Sequence, residues 1–142
     1  MKSFIFTVPG KPMGKQRPRF SRANGRAYTP AETANYENLI RLAFTEKYPD
    51  HIPTEDPVTL SFCAVYPVPK SWTKGKQLAA LEGEIFPGKP DIDNILKIIQ
   101  DAGNEVIWKD DAQVFKLKET MKRYGTRPGL SVLIEIEERN EE

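Results

Sequence analysis

The 142-residue sequence contains one cysteine and one histidine, and it has no apolar run long enough to span a membrane. Cys63 has no second cysteine to pair with, which predicts a reducing, cytoplasmic setting and a buried, inert thiol. His51 precedes Ile52-Pro53 in an expected surface connection, so zinc binding and histidine-based catalysis are disfavoured. Met1-Lys2-Ser3 leads into apolar residues without a cleavage-site pattern, and no signal peptide is expected.

The charges are almost balanced in number but unevenly distributed. The net charge of +1 alone gives no indication of a nucleic-acid partner. Between residues 1 and 31, however, there are seven basic residues and no acidic one: Lys2, Lys11, Lys15, Arg17, Arg19, Arg22 and Arg26. The C-terminus instead collects glutamates, from Glu135 to Glu142. One end of the chain is therefore suited to contacts with phosphate.

Length and composition predict a single domain over residues 1–142. A chain of this size can bury one core, and 39% hydrophobic with 29% charged residues is typical of a folded globular protein. Alternating or β-rich patterns predict strands at 2–8, 58–66, 113–124 and 130–136. Helical spacing predicts helices at 30–48, 76–81 and 92–102, with Thr29 capping the first and a basic loop at about 9–27 before it. We therefore expect a two-layer α+β fold, with helices packed on a mixed or antiparallel four-stranded sheet.

The densest group of polar residues follows Pro90. A helix starting near Ile92 places Asp93, Lys97, Gln100 and Asn104 on one face, opposite an Ile/Leu stripe. Asp91 lies at the helix entrance, and Asp111 precedes a strand that can bring its carboxylate to the same place if strand and helix are neighbours. Clustered carboxylates without a nearby histidine or thiol favour a hard cation such as Mg²⁺, with Mn²⁺ as a substitute.

Such a metal suits phosphodiester hydrolysis, because it stabilises charge on phosphate and activates water. Lys97, one turn after Asp93, then supplies a positive group, for which we favour electrostatic stabilisation of the transition state over deprotonation of water.

Each of these residues also has an ordinary structural explanation. An Asp-x-Asp pair at a helix start is explained by capping and by the helix dipole without any metal. Asp101 is expected to be structural, as an ion-pair partner of Lys97. The combination of these acidic residues with an acid-free basic segment is what favours a catalytic site.

The basic segment alternates cations with aromatic residues. Phe20 lies among Lys15, Arg17, Arg19 and Arg22, and Tyr28 follows Arg26, as phosphate contacts with occasional base stacking require. We therefore predict DNA contacts from Lys11, Lys15, Arg17, Arg19, Arg22 and Arg26. A solvated loop is the alternative. Trp72, beside Lys70, Lys74 and Lys76, is either a second contact or wedge or part of the core.

Three segments carry a resemblance to a known family. Residues 89–97 (KPDIDNILK), Asp101-Ala102 and residues 110–114 (DDAQV) resemble, in order and spacing, the RusA-like crossover-junction endonucleases of bacteria and their prophages. The N-terminal Gly10-Lys-Pro, residues 15–19 (KQRPR) and Tyr28-Thr-Pro30 extend the resemblance over nearly the whole chain. At residues 102–106 (AGNEV) the chain departs from the family's Ala-Leu-Asn pattern, which affects helix-end packing.

The resemblance implies a small α+β homodimer that binds four-way (Holliday) junctions and cuts opposing strands with Mg²⁺, in DNA recombination and repair. By position, Asp91, Asp93 and Asp111 are the implied metal ligands and Lys97 is the implied essential lysine; the role of Asp110 stays open. Two alternatives remain. One is a non-catalytic nucleic-acid-binding protein with structural aspartates, and the other is hydrolysis of a small phosphorylated metabolite, which leaves the basic segment without purpose.

Overall fold

The elements follow the sequence patterns closely. The computed structural model describes residues 1–16, 19–20, 23, 25, 27–28 and 31–138, with the backbone alone at 19–20 and 27–28. In chain order the elements are β1 (Lys2–Pro9), β2 (Arg19–Phe20), β3 (Ala27–Tyr28), α1 (Ala31–Lys47), β4 (Val58–Tyr66), α2 (Lys74–Leu81), α3 (Ile92–Gly103), a 3₁₀ turn (Asp111–Gln113), β5 (Val114–Tyr124) and β6 (Gly129–Ile136).

Four of the strands form one mixed sheet in the order β1-β6-β4-β5. β6 pairs antiparallel with both β1 and β4, whereas β4 and β5 are parallel. Because side chains alternate along a strand, Phe6, Leu60 and Ile134 share the inner face, which is buried. Ile5, Cys63 and Leu133 lie on the opposite face, where Ile5 is exposed and the other two are half-buried.

Helices α1 and α3 cover the inner face of the sheet. Their core-facing residues repeat at three- and four-residue intervals and are buried: Tyr36, Ile40, Phe44, Ile95, Ile98, Ile99 and Ala102. The predicted two-layer α+β fold is therefore confirmed. No helix in the described part of the chain is both long enough and apolar enough to cross a membrane.

Several local expectations need correction. The pairing of β2 with β3 inside the basic segment was not predicted. His51 is half-buried rather than at the surface: its ring packs edge-on against Phe4 and Phe44, and its Nε2 lies 2.9 Å from the carbonyl oxygen of Ile107. Cys63 is half-buried on the open sheet face, not inside the core. The expected cap at Thr29 lies outside the described residues.

Trp72 packs within the fold, which agrees with the structural interpretation of this residue. Its ring meets Tyr124 of β5 edge-to-face at a centroid distance of 5.5 Å. The Lys76 ammonium lies 4.0 Å from the centroid of the same ring, a cation–π contact. Trp72 is thus held between α2 and the sheet edge.

The end of α3, where the sequence departs from the family pattern, is tightly packed. A Cβ at Gly103 would lie only 2.3 Å from Cζ2 of Trp108, a distance that real Cβ atoms do not show. Trp108 is fully buried, and its Nε1 donates to the carbonyl oxygen of Gln100 at 3.3 Å. Glycine at 103 therefore makes the space that the indole fills.

We expect Gly103→Ala to lower the free energy of unfolding by about 1–3 kcal/mol, because overpacking a filled core displaces its neighbours. Urea denaturation followed by circular dichroism measures the change. Gly75→Ala is the matched control, because a Cβ at Gly75 meets no atom within 4 Å and alanine suits a helix better. Equal losses in both variants would contradict the steric explanation.

Candidate functional site

The entrance of α3 presents two exposed carboxylates. Asp91 occupies the N-cap position, yet its side chain makes no capping hydrogen bond. Its two carboxylate oxygens instead accept from Lys89 Nζ at 3.1 and 3.2 Å, in a solvent-exposed ion pair. Asp93 is exposed in the first helical turn. Capping therefore does not account for Asp91, and both carboxylates are accessible to a ligand.

The start of the basic segment packs directly against this entrance. Lys15 donates its backbone N–H to the carbonyl oxygen of Asn94 at 2.8 Å. A Cβ at Gly14 would lie 2.7 Å from Cβ of Pro90, so glycine permits the close approach. A groove of about 530 Å³ runs between the two segments, with Lys11 and Lys89 in its lining. The described start of the basic segment, residues 11–16, and the acidic helix entrance are thus neighbours.

The side chain of Lys15 is engaged inside the protein. Its ammonium lies 2.5 Å from Glu37 and 3.1 Å from Asp101, and only 16% of the side chain is exposed. Burial alone lowers the pKa of Lys15, but the hydrogen bonds to Glu37 and Asp101 outweigh it, and the pKa is raised. Lys15 is therefore a structural tie rather than a free phosphate contact, and Asp101 pairs with Lys15 rather than with Lys97.

Of the other residues predicted to contact DNA, the structure describes the side chain of Lys11 alone. Lys11 is exposed in the groove. Arg17, Arg22 and Arg26 lie outside the described residues, and Arg19 is described in its backbone alone, so their contacts stay predictions.

Lys97 lies one turn after Asp93 on the exposed side of α3. It makes no ion pair with any residue that the structure describes. Its ammonium is therefore available to an anion that approaches this face.

Asp111 lies beside the opposite end of α3. Asn104, the C-cap residue of that helix, donates from Nδ2 to Asp111 Oδ2 at 3.2 Å. The Trp108 indole N–H, which can only donate, points to Asn104 Oδ1 at 3.2 Å. The indole thereby fixes the orientation of the Asn104 amide and leaves its NH₂ group for Asp111.

The side chain of Gln113 holds the turn Asp110-Asp111-Ala112-Gln113 in place through three hydrogen bonds. Its Nε2 donates to the carbonyl oxygens of Thr54 at 2.7 Å and of Asp56 at 3.0 Å. Its Oε1 accepts from the backbone N–H of Asp110 at 3.0 Å. The turn that carries Asp111 is therefore anchored to the segment before β4.

The three aspartates do not converge within one chain. Asp93 and Asn104 are eleven positions apart on α3, which is about 16 Å at the helical rise of 1.5 Å per residue. Two oxygens bound to one Mg²⁺ lie within about 4 Å of each other. Among the described residues, no three His, Cys, Asp or Glu side chains are grouped to hold a metal. The expected convergence of Asp111 with Asp91 and Asp93 therefore fails because a helix separates them.

Sequence reasoning missed three residues near these sites. Asn104 appeared in the polar band of α3, but its contact with Asp111 had no signal in sequence spacing. Lys122 of β5 donates from Nζ to the carbonyl oxygens of Gly88 and, at 3.0 Å, of Pro90, which holds the segment before Asp91. Phe86, in the same segment, is 78% exposed, and a lone aromatic residue in a Gly/Pro-rich loop was its only signal.

Comparison with known proteins identifies the family of this chain. The family model described as "Endodeoxyribonuclease RusA" matches residues 9–135, which is most of the chain. The chain belongs to the RusA endodeoxyribonuclease family. This confirms the resemblance, and it assigns the chain to the nucleases, which hydrolyse DNA phosphodiester bonds. The RusA match includes both ends of α3, with Asp91, Asp93, Lys97 and Asp111.

One similar protein is the Bacillus subtilis (strain 168) "Uncharacterized protein YqaN". The two sequences are 37% identical over 139 residues, which cover 94% of this chain and 96% of the Bacillus protein. The likeness therefore extends over essentially the whole length of both proteins.

Proposed function

We propose that this RusA family member is a Mg²⁺-dependent, structure-selective endonuclease that resolves four-way DNA junctions by cutting opposing strands. The observation that carries the proposal is the packing of the basic segment against the acidic entrance of α3. Lys11 and Lys89 line the groove there, and Lys89 Nζ donates to the carboxylate of Asp91. A DNA backbone attracted by the cations would thus reach the carboxylates and Lys97.

The charge arrangement supports a division of labour between these groups. Phosphate contacts give affinity without reading sequence, which suits an enzyme that recognises DNA shape. Lys97, exposed and without an ion-pair partner among the described residues, is placed to offset negative charge that develops on the phosphate. Phe86 is exposed in the segment leading to Asp91 and is available to stack on an unpaired base at a branch point.

The proposed cofactor is Mg²⁺, with Mn²⁺ as a substitute, because the candidate ligands are all carboxylates and hard cations prefer oxygen. His51 packs with Phe4 and Phe44, and Cys63 lies on the open sheet face, so neither is near the helix entrance. Asp91, Asp93 and Asp111 of a single chain do not fit around one ion.

A homodimer is the proposed assembly. A four-way junction offers two symmetry-related scissile strands, and a two-fold protein places one site at each. Recombination and repair in the bacterial cytoplasm, including the processing of prophage DNA, is the proposed setting, because that is where such junctions arise.

The test is incubation of purified protein with a labelled four-way junction and with a linear duplex of the same sequence, in Mg²⁺ or in EDTA. We expect paired cuts in the junction with Mg²⁺ and none in EDTA or in the duplex. Junction binding without any cleavage would instead favour a non-catalytic binding protein. Hydrolysis of a small phosphomonoester that junction DNA does not inhibit would favour a metabolite phosphatase.

We expect the double variant Arg17→Ala/Arg19→Ala to bind junction and duplex more weakly and to lower the slope of log affinity against log salt by about 2. Each lost phosphate contact removes roughly 0.9 from that slope. Gel-shift titrations at several salt concentrations measure it, with any preference for sequence retained. Lys47→Ala, an exposed lysine at the far end of α1, is the control. Unchanged affinity and slope would mean that Arg17 and Arg19 make no phosphate contact and belong to a solvated part of the loop.

A further inference from the structure

The groove between the start of the basic segment and the entrance of α3 has walls suited to a flat, apolar ligand. Pro12, Met13 and Pro90 line it, together with Gly14. Its volume of about 530 Å³ lies within the range of pockets that hold small molecules, roughly 300–1,000 Å³. Such pockets combine apolar walls with a few polar groups that fix the orientation of the ligand. A nucleobase, with apolar faces and polar groups only at its edge, is a ligand of this kind.

Two side-chain amides in the lining of this groove have unused hydrogen-bonding groups. Gln16 and Asn94 are both half-buried there, and neither side chain makes a hydrogen bond with any residue that the structure describes. Each amide offers two N–H donors and a carbonyl acceptor. This combination pairs with the edge of a base through two hydrogen bonds at once, as Asn and Gln do with adenine. The groove therefore offers base-reading groups beside its apolar walls.

Both amides are attached to backbone that other contacts hold in place. The backbone N–H of Lys15 donates to the carbonyl oxygen of Asn94 at 2.8 Å, and the backbone N–H of Gln16 donates to Thr33 Oγ1 at 3.4 Å. The two ion pairs of the Lys15 ammonium fix the same segment from below. A preformed site loses little conformational freedom when it binds, which favours discrimination between similar ligands.

The charges around the groove indicate that the base belongs to a nucleic-acid strand. Three of its lining residues, Lys11, Lys15 and Lys89, are basic, and none of the described residues in the lining is acidic. A neutral base needs no cation, whereas a base in a strand carries a phosphate on each side. Asn94 follows Asp93 directly on α3. A base held by Asn94 therefore brings its own phosphates to the entrance of α3.

We propose that this groove takes one unstacked base of the DNA strand beside the bond that is cut, and that Gln16 and Asn94 read the edge of that base. The inference rests on the proposed function for the branched DNA that supplies such a base, because stacking is interrupted at a branch point. In a continuous duplex the base would first have to leave the stack, which costs free energy. The groove thus adds a base preference at one position to the recognition of DNA shape.

A fluorescent base gives a readout that does not depend on cleavage. 2-Aminopurine is an adenine analogue whose fluorescence is quenched when it stacks on other bases. It is placed in turn at each position next to the branch point of a four-way junction, and its fluorescence is followed while protein is added in EDTA. No lining residue of the groove that the structure describes is aromatic, so we expect a rise at the captured position. A duplex with a single unpaired 2-aminopurine tests the groove without a junction.

Gln16→Ala and Asn94→Ala should each reduce this rise and weaken the base preference. Competition among four junctions that differ only in the base at the captured position measures the preference. We expect the native protein to prefer one base by about 5–150-fold, the range for one base contact through two hydrogen bonds, and each variant to lose most of that factor. Asn35→Ala removes an exposed amide of α1 outside the groove and should change neither quantity. Circular dichroism confirms that all variants fold.

Equal native affinity for the four bases, or for a junction with an abasic nucleotide at the captured position, would overturn the base site and leave the groove with phosphate contacts alone. A fluorescence rise that persists in the double variant Gln16→Ala/Asn94→Ala would also overturn it, because the base then lies elsewhere. If the unpaired base in the duplex gives the expected rise and preference but no junction is cut in Mg²⁺, the proposed function fails while the base site stands. Normal junction cleavage without any base preference has the opposite meaning.

Discussion

Asp93→Asn and Asp111→Asn should each abolish Mg²⁺-dependent incision while binding junction DNA at least as well as the native protein when metal is absent. Without metal the carboxylates repel the incoming phosphate, and removal of one negative charge relieves that repulsion. With Mg²⁺ present, either substitution would remove an anionic oxygen that could hold the cation, and the help that the metal would give in stabilising phosphate charge and activating water would be lost. Gel-shift titration in EDTA and a cleavage time course in Mg²⁺ measure the two effects separately.

These substitutions are mild for the fold. An asparagine at 111 still offers an oxygen to the Nδ2 of Asn104, and Asp93 is exposed. Circular dichroism should therefore be unchanged. Asp50→Asn removes one exposed carboxylate in the turn after α1 and serves as the control, with normal cleavage expected. If a folded variant at position 93 or 111 cuts normally, the aspartate at that position is not a metal ligand. If the variant loses junction binding together with cleavage, that aspartate has a structural role.

Lys97→Ala should reduce junction cleavage by about 10²–10³-fold, the usual cost of losing one group that stabilises transition-state charge. Junction affinity should change far less, because one lysine among many basic residues contributes a single phosphate contact. Single-turnover cleavage and gel-shift titration on the same preparation separate the two quantities. Lys97→Arg should recover part of the rate if the role is electrostatic.

A loss of stability would not explain this result, since Lys97 is exposed and makes no ion pair with the described residues. Lys47→Ala again controls for the loss of one exposed positive charge. Native turnover in Lys97→Ala would remove this residue from the site.

The elements could be predicted because each carries a strong local pattern. Ile95, Ile98 and Ile99 mark one face of α3, and the alternation in β4 and β6 matches a strand with one face on the core. The polar residues at 110–113 and those after Pro90 could also be recognised, since they are adjacent in sequence. Local spacing is enough for features of this kind.

Contacts between distant residues could not be predicted in the same way. Lys15 pairs with Glu37, 22 positions away, and with Asp101, so an apparent phosphate contact turned out to be a structural tie. The convergence of Asp111 with Asp93 was expected from neighbouring elements. The sequence gives the order of a helix and a strand, but it does not say which end of the helix lies beside the start of the strand. Here β5 begins at the C-terminal end of α3, beside Asn104.

The most direct measurement uses a supercoiled plasmid that extrudes a cruciform, which is a four-way junction in closed circular DNA. Paired incision by one dimer during a single binding event gives linear plasmid, whereas independent cuts give nicked circles first. We expect Mg²⁺-dependent linear product with cuts mapped to the cruciform base, and an intact plasmid in EDTA or when the inverted repeat is absent. Intact cruciform plasmid in Mg²⁺, or cutting that is equal with and without the cruciform, would contradict a junction-selective endonuclease.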